Sequence, residues 1–243
     1  MTTIRALQVS DCHLAHERGR KYRQHDPDAN LETLGGAVRR WAPDLVLLTG
    51  DLSDDGSKAA YERIRDWALQ FGCAVAWTPG NHDDRDVMAP VFDAAGFLSG
   101  PVVETGRWQL ALLDSTWPDD PAGELDDERL APLEELGRSR PCGAFVHHQP
   151  VPVGAAWIDK VGMRASDRLW NALADRGNVR FVAFGHVHQR FRARRAGIDV
   201  LACPSTAANS LPATQKFAGN ETTPLARWFV LGEDDFRTGY LAP

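Results

Sequence analysis

Cysteine is scarce in this chain of 243 residues, and its four copies stand far apart. Cys12, Cys73, Cys142 and Cys203 form no CxxC pair, which argues against a zinc ribbon and against a disulfide scaffold. We therefore expect free thiols, as is usual for proteins of a reducing compartment. The N-terminal stretch lacks the basic start and long apolar region of a signal peptide, so we expect a cytoplasmic protein.

Long apolar runs, linkers and excess basic charge are also absent. No apolar run approaches the roughly 20 residues that span a bilayer, and no repeat or Pro/Gly/Ser-rich linker divides the chain. The sequence thus predicts one domain over residues 1–243, with 43% hydrophobic residues to form its core. A net charge of −6 argues against a nucleic-acid polymer as partner. An anionic small molecule could still bind if metal ions supplied positive charge.

Short apolar runs alternate with amphipathic segments along the first third of the chain. Ile4–Val9 is strand-like, and the helical pattern that follows begins at Asn30, which we expect to be its N-cap. A continuous apolar run then ends at Gly50, and a second helical pattern ends near Gly72, a residue typical of helix C-termini. A third apolar run completes a β-α-β-α-β pattern. This order predicts an α/β fold with a largely parallel inner sheet.

Polar side chains follow five of the strand-like runs, at the point where each run ends. Ligands in α/β proteins bind at the carboxyl ends of the strands, so these residues are candidates for one site. Taken singly, each has an ordinary structural interpretation, such as an Asn in a turn or a hydrogen-bonded histidine in a core. Five sites together indicate a metal centre. The residues are Asp11 and His13, Asp51, Asn81 and His82, His147 and His148, and His186 and His188.

The number of candidate ligands indicates two metal ions. Seven ligands are too many for one tetrahedral zinc with an open position; they are Asp11, His13, Asp51, Asn81, His147, His186 and His188. Two ions about 3.5–4 Å apart need a shared ligand, and the two carboxylate oxygens of Asp51 suit that task. Mixed oxygen and imidazole donors favour divalent Fe, Mn, Zn or Co.

The motifs DCH (from Asp11), GD (Gly50), GNHD (Gly80), HHQP (His147) and GHVH (Gly185) resemble those of the calcineurin-like metallophosphoesterase superfamily. They come in that family's order. The resemblance implies an α/β fold of four layers, an α/β/β/α sandwich of two mixed sheets flanked by helices. It also implies a dinuclear metal centre at the apex of the two sheets.

The same resemblance implies a role for each matching residue. One metal is expected to be held by Asp11, His13, Asp51 and His188, and the other by Asp51, Asn81, His147 and His186. His82 is the expected catalytic residue and faces the substrate phosphate, while His148 is not an expected ligand. Asp83 is expected to hydrogen-bond nearby and orient the GNHD loop.

The motif GDLSDDG lacks the arginine of the Ser/Thr phosphatase pattern GDxxDRG. The stretch from His147 to the LACPST segment is similar to bacterial class III cyclic-nucleotide phosphodiesterases, the CpdA group. This likeness implies hydrolysis of 3′,5′-cyclic AMP to 5′-AMP by a metal-activated hydroxide. It also implies that the nucleotide contacts His13, Asp51, Asn81, His82 and His188.

Alternative interpretations remain open from the sequence. Glycerophosphodiesterases and broad-specificity phosphodiesterases belong to the same superfamily, and a binding scaffold without catalysis is a remote third interpretation. Trp157, soon after the HHQP motif, either forms a wall for a nucleoside or packs against the protein.

Overall fold

The structure is a computed structural model that describes residues 3–220 and 223–243. Within these ranges the strands are β1 (Ile4–Val9), β2 (Leu45–Thr49), β3 (Ala74–Thr78), β4 (Val102–Thr105), β5 (Trp108–Leu113), β6 (Cys142–Val146), β7 (Val179–Phe184), β8 (Phe191–Arg195), β9 (Ile198–Ala202), β10 (Asn209–Ser210), β11 (Gly219–Asn220), β12 (Ala226–Leu231) and β13 (Phe236–Leu241). The helices are α1 (Pro27–Trp41), α2 (Lys58–Leu69), α3 (Arg85–Asp93), α4 (Asp127–Leu130), α5 (Pro132–Glu135), α6 (Ala156–Asp159) and α7 (Asp167–Ala174).

Two large sheets form the centre of the fold. The first has five strands in the order β13-β12-β1-β2-β3, and the second has six in the order β4-β5-β6-β7-β9-β8. In the first sheet β1, β2 and β3 are parallel, and β12 pairs antiparallel with both β1 and β13. In the second sheet β5, β6, β7 and β9 are parallel between antiparallel edge strands. Each sheet is therefore mixed, and the predicted parallel strands β1, β2 and β3 form one side of the first sheet, with β3 at its edge.

Strand β2 shows how the layers are arranged. Alternate residues of a strand point to opposite faces of the sheet. Val46 and Leu48 pack in a core cluster with residues of α1, α2 and α3, whereas Leu45 and Leu47 pack in a cluster between the two sheets. A third cluster joins the second sheet to α5 and α7. The predicted α/β/β/α sandwich is thus confirmed.

Helix α1 begins earlier than the sequence predicts. Its N-cap is Asp26, whose side chain accepts a hydrogen bond from the Ala29 backbone N–H at 3.1 Å, and Pro27 is the first helical residue. Proline suits this position because it lacks the N–H that would have no partner there. Asn30 is therefore inside the helix, and the prediction of an Asn30 cap is wrong. The Asn30 side-chain amide instead donates a hydrogen bond to the Ala207 carbonyl at 3.0 Å.

Two further expectations concern helix ends and cysteines. Gly72, predicted to end α2, lies two residues beyond the actual C-cap, Gln70; it has a φ of +61° and donates its backbone N–H to the Leu69 carbonyl. All four cysteines are free. Among the residues that the structure describes, no helix combines the length and the apolar character needed to cross a bilayer.

Candidate metal centre

The residues singled out in the sequence come together at the carboxyl ends of the parallel strands. The loops after β1, β2 and β3 carry the candidates of the first sheet, and those after β6 and β7 carry the candidates of the second sheet. Ligand atoms within 4.8 Å of one another define four overlapping groups. These are Asp11, His13 and His188; Asp11, Asp51 and His147; His13, Asp51 and His82; and His147, His148 and His186.

Backbone contacts bring these loops together. The N–H of Asp11 donates to the Gly50 carbonyl at 2.9 Å, and the N–H of His13 donates to the Asp51 carbonyl at 3.0 Å. Gly80 lies against the same loop so closely that a Cβ atom there would be 2.3 Å from the backbone nitrogen of Asp51. The glycines of the GD and GNHD motifs therefore allow two loops to meet where side chains would keep them apart.

Five candidate ligands adopt a backbone conformation that is uncommon outside glycine. Asp and His are among the residues that tolerate the left-handed region best, and strained residues gather at functional sites. Such backbones turn the chain sharply after each strand and aim the side chains at one point. The five, with φ between +45° and +65°, are Asp11, His13, Asp51, His186 and His188.

Backbone carbonyls fix which nitrogen of three histidines carries the proton. His147 Nδ1 donates to the Thr49 carbonyl at 2.9 Å, and His188 Nδ1 donates to the Ala208 carbonyl at 2.7 Å. When these rings are neutral, as a metal ligand must be, the opposite nitrogen, Nε2, keeps its lone pair. His186 is reversed, because its Nε2 donates to the Val161 carbonyl at 3.1 Å and leaves Nδ1 free. This is how proteins orient histidine ligands toward metals.

Several buried acceptor atoms in the centre have no hydrogen-bond partner among the described residues. They include Asn81 Oδ1 and His147 Nε2. The latter is 3.3 Å from Asp51 Oδ2 without the alignment of a hydrogen bond. An unsatisfied buried polar atom costs about 1–3 kcal/mol. Divalent cations would satisfy these oxygens and imidazole nitrogens together, so the residues present fit a metal centre.

The electrostatics of the centre depend on the buried carboxylates. Burial alone would lower the pKa of His147, but the Asp51 carboxylate beside it raises that pKa to about 9. Burial lowers the pKa of His13 to about 4 and that of His186 to about 3. His188 Nε2 is 3.3 Å from Asp11 Oδ1 and 3.1 Å from His13 Nε2. Two imidazole nitrogens and a carboxylate oxygen thus converge on one point.

Asp83 and Asp54 support the centre from outside the predicted ligand set. The Asp83 carboxylate accepts the backbone N–H groups of Leu52 and Ser53, each at 3.0 Å, and of Gly80 at 2.9 Å. It therefore joins the GD loop to the GNHD loop, which is the orienting role expected for it. Sequence reasoning missed Asp54, although it belongs to the quoted GDLSDDG stretch. Its Oδ1 is 3.6 Å from Nδ1 of both His13 and His82.

His82 and His148 have different surroundings. The His82 backbone N–H donates to Asp51 Oδ1 at 2.9 Å, while its side chain is 39% exposed at the mouth of the centre. The His148 side chain is buried, with Nδ1 2.9 Å from Ser115 Oγ and its ring 4.6 Å from that of His186. His82 is therefore accessible to a substrate, and His148 is not.

Aromatic side chains border the centre on one side. The Tyr22 ring stacks on His13 at 4.0 Å, and Trp157 approaches His188 edge-on at 6.4 Å between ring centroids. Trp157 is half-buried and also contacts Phe217 at 5.4 Å. Sequence reasoning missed Tyr22 and Phe217.

An α/β/β/α sandwich with a buried cluster of Asp, Asn and His side chains at its apex defines a metallophosphoesterase. The family model of calcineurin-like phosphoesterases matches residues 4–190, and the chain belongs to that family. The family implies divalent metal ions at this centre.

Similar proteins cover almost the whole chain. A protein of Pseudomonas aeruginosa named 3′,5′-cyclic adenosine monophosphate phosphodiesterase CpdA is 34% identical over 96% of this chain and 87% of its own length. The protein of the same name from Escherichia coli K12 is 31% identical over 95% of this chain and 86% of its own. A solved dimetal phosphatase of Danio rerio has the same fold, with a TM-score of 0.72 at 14% identity, covering 98% of this chain and 96% of that one.

Proposed function

We propose that this protein is a dinuclear-metal phosphodiesterase that hydrolyses 3′,5′-cyclic AMP to 5′-AMP. The observation that carries hydrolysis is the geometry of the centre, where two of the overlapping ligand groups share Asp51 and one of these two includes the exposed His82. The similarity to proteins named CpdA over almost the whole chain supports the substrate. The four free thiols support a reducing, cytoplasmic location.

Each predicted ligand has a place in this proposal. One divalent Fe, Mn, Zn or Co ion would be held by Asp11, His13, Asp51 and His188, and the other by Asp51, Asn81, His147 and His186. When bound, such ions lower the pKa of a water nucleophile and stabilise charge on phosphoryl oxygens. Asp51 fits the shared position because its carboxylate is close to both His13, at 3.8 Å, and His147, at 3.3 Å.

His82 fits the role of general acid. Its Nδ1 faces Asp54, 3.4 Å from the backbone oxygen and 3.6 Å from Oδ1, which leaves Nε2 to meet the substrate. Hydrolysis to 5′-AMP breaks the bond between phosphorus and the ribose O3′, and this oxygen needs a proton as it leaves. A positioned acid contributes typically about 10²–10⁴-fold to such a step.

One domain suffices for this function. The first strand β1 pairs with β12, so both ends of the described chain lie in one sheet, and each sheet supplies part of the centre. We therefore treat residues 1–243 as a single catalytic domain.

The experiment that tests the proposal compares substrates and metal content together. We expect kcat/KM for 3′,5′-cyclic AMP to exceed that for 2′,3′-cyclic AMP and for glycerophosphodiesters. We expect elemental analysis to find two transition-metal ions per chain. A higher kcat/KM for glycerophosphodiesters would overturn the substrate, and a metal-free protein with full activity would overturn the mechanism.

Asp51→Asn tests the shared ligand, and Asp119→Asn is its matched control. Both residues are aspartates in the left-handed region, with φ of +50° and +56°, which asparagine also tolerates. Asp119 is exposed. We expect Asp51→Asn to lose metal and activity while Asp119→Asn retains both. Full metal content in Asp51→Asn would contradict a bridging role.

A further inference from the structure

A cleft of about 540 Å³ opens next to the metal centre. Its lining comes from two distant parts of the chain: Arg23, Gln24, His25, Phe217, Gly219 and Asn220. The Phe217 ring lies 6.4 Å from the ring of His188, and Trp157 lies at the same distance from that ring. Phe217 thus joins the cleft to the border of the metal centre, so we expect the rest of a molecule whose phosphate is held at that centre to reach the cleft.

Arg23 lies close to three aromatic rings, of which Phe217 lines the cleft. Its guanidinium carbon is 4.0 Å from the Phe217 ring centroid, 5.4 Å from that of Tyr22 and 5.6 Å from that of Trp157. Its Nε donates to the Tyr22 hydroxyl at 3.2 Å. The neighbouring Arg18 and Arg20, by contrast, pair with the carboxylates of Glu32 and Asp55. The planar guanidinium of Arg23 thus lies against the Phe217 ring, and the Arg23 side chain is exposed to the cleft.

The backbone that presents Arg23 is unusual. Tyr22 and His25 exchange two backbone hydrogen bonds, at 3.0 and 2.9 Å, and enclose a turn of two residues. Those residues, Arg23 and Gln24, have φ of +47° and +75°. Such a turn ordinarily takes Asn-Gly, because both central residues are left-handed. Strained residues of this kind gather at functional sites, so the arginine is placed there for its side chain.

We propose that this cleft is a nucleobase subsite, in which the base of the substrate stacks on the guanidinium plane of Arg23 with Phe217 behind it. Planar bases stack on arginine and on aromatic rings. Trp157 lies outside the cleft lining but contacts both Phe217 and His188 with its ring. The inference rests on the proposed function and makes Arg23 and Phe217 specificity-determining residues. A glycerophosphodiester has no planar base to stack, so we expect its affinity to gain nothing from Arg23 and Phe217.

The test follows hydrolysis of bis(p-nitrophenyl) phosphate by the metal-containing enzyme. It measures how strongly two ligands inhibit this reaction, expressed as their inhibition constants. AMP carries the base, and ribose 5-phosphate lacks it. In Arg23→Ala and Phe217→Ala we expect the constant for AMP to rise roughly 5- to 100-fold, the range of base stacking. The constant for ribose 5-phosphate should change less than about two-fold, because the phosphate contacts are untouched. Parallel rises for both ligands, or no rise for either, would overturn the subsite.

Matched variants separate stacking from charge and from misfolding. Lys21→Ala removes the same positive charge from the same exposed loop and should leave both constants unchanged. Arg23→Lys retains the charge without the plane and should behave like Arg23→Ala. Phe217→Leu retains apolar volume without the ring, so the inhibition constant for AMP should rise in this variant as well. It replaces Phe217→Ala in the test if Phe217→Ala fails to fold. A Lys21→Ala effect equal to that of Arg23→Ala would overturn the proposal in favour of simple electrostatics.

Failure of the subsite and failure of the proposed function give different results. If the wild-type enzyme hydrolyses bis(p-nitrophenyl) phosphate but not cyclic AMP, the proposed function is wrong. If cyclic AMP is hydrolysed and Arg23→Ala and Phe217→Ala retain the wild-type kcat/KM for it, only the nucleobase subsite is wrong.

Discussion

Gly80→Ala tests the close approach of the two loops that carry Asp51 and Asn81. A Cβ atom at Gly80 would be 2.3 Å from both the backbone nitrogen and Oδ1 of Asp51, whereas ordinary contacts begin at 3.4 Å. The loops must therefore separate by about 1 Å, and a misplacement of that size can cost about 10²-fold in rate. Overpacking of this kind typically costs about 1–3 kcal/mol of stability. For a chain of this length, that corresponds to a fall in Tm of about 2–12 °C.

The assay follows kcat/KM for bis(p-nitrophenyl) phosphate, metal content and Tm in parallel. Gly36→Ala is the matched control, because Gly36 lies in helix α1 and its new Cβ would meet nothing closer than Arg40 Nη1 at 3.6 Å. That variant should keep its activity and gain about 0.5–1 kcal/mol, since alanine suits a helix better than glycine.

We expect Gly80→Ala to lose about 10²-fold in kcat/KM, together with part of its metal. Wild-type rate and metal content in this variant would refute the reasoning, because the two loops could not then be packed as described. A fall in Tm with full activity would refute the link between loop contact and ligand placement.

Three further predictions concern the histidines and Asn81. Asn81→Ala should lose metal in elemental analysis and regain part of its rate in excess metal, whereas His82→Ala should keep its metal and lose about 10²–10⁴-fold in kcat on cyclic AMP. The His82→Ala loss should shrink for bis(p-nitrophenyl) phosphate, whose leaving group needs little protonation; equal losses would show that His82 is not the acid. The metal-free protein should lose thermal stability as pH rises from 6.5 to about 9, because the pKa of His147 is raised to about 9 in the folded state; the resulting stabilisation is complete below the unfolded value of 6.5 and is lost as the pH rises through the folded value. His147→Gln should abolish this slope in melting experiments, and an unchanged slope would contradict the ion pair with Asp51.

The grouping of the candidate site residues could be predicted because it follows from local pattern and sheet geometry. Apolar runs mark the strands, and the carboxyl ends of parallel strands meet at one edge of a sheet, so the residues after β1, β2 and β3 are expected to converge, as are those after β6 and β7. The strand pattern also predicted that β1, β2 and β3 are parallel. The meeting of the two groups depends on the packing of the two sheets, which periodicity does not indicate. The order of the layers was predicted from the resemblance of the motifs to a known family, because hydrophobic periodicity does not indicate it.

The cleft beside the site could not be predicted in the same way. Tyr22, Arg23 and Phe217 lie in irregular segments, and almost the whole chain separates Phe217 from the other two. Their contact depends on tertiary folding, and no periodicity signals it. Trp157 was singled out only for its position after the HHQP motif.

Errors in the helices have local causes. Asn30 looked like a cap because it precedes an apolar repeat, but Asp26 and Pro27 form a better start one turn earlier. A single helical repeat from Leu125 to Arg138 is likewise divided into two short helices, α4 and α5, with Pro132 at the first position of the second helix. Proline cannot donate the N–H that would continue the first helix.

The pairing of β1 with β12 has a consequence for the order in which the protein forms during synthesis. Strand β1 carries Asp11 and His13 at its end, yet one of its two edges has no partner until Ala226–Leu231 has left the ribosome. Until then the nascent chain exposes an unpaired strand edge, which favours association with other chains. The earliest ligands to be translated thus belong to a sheet that is complete only after β12 has paired with β1, so we expect metal capture near the end of biogenesis.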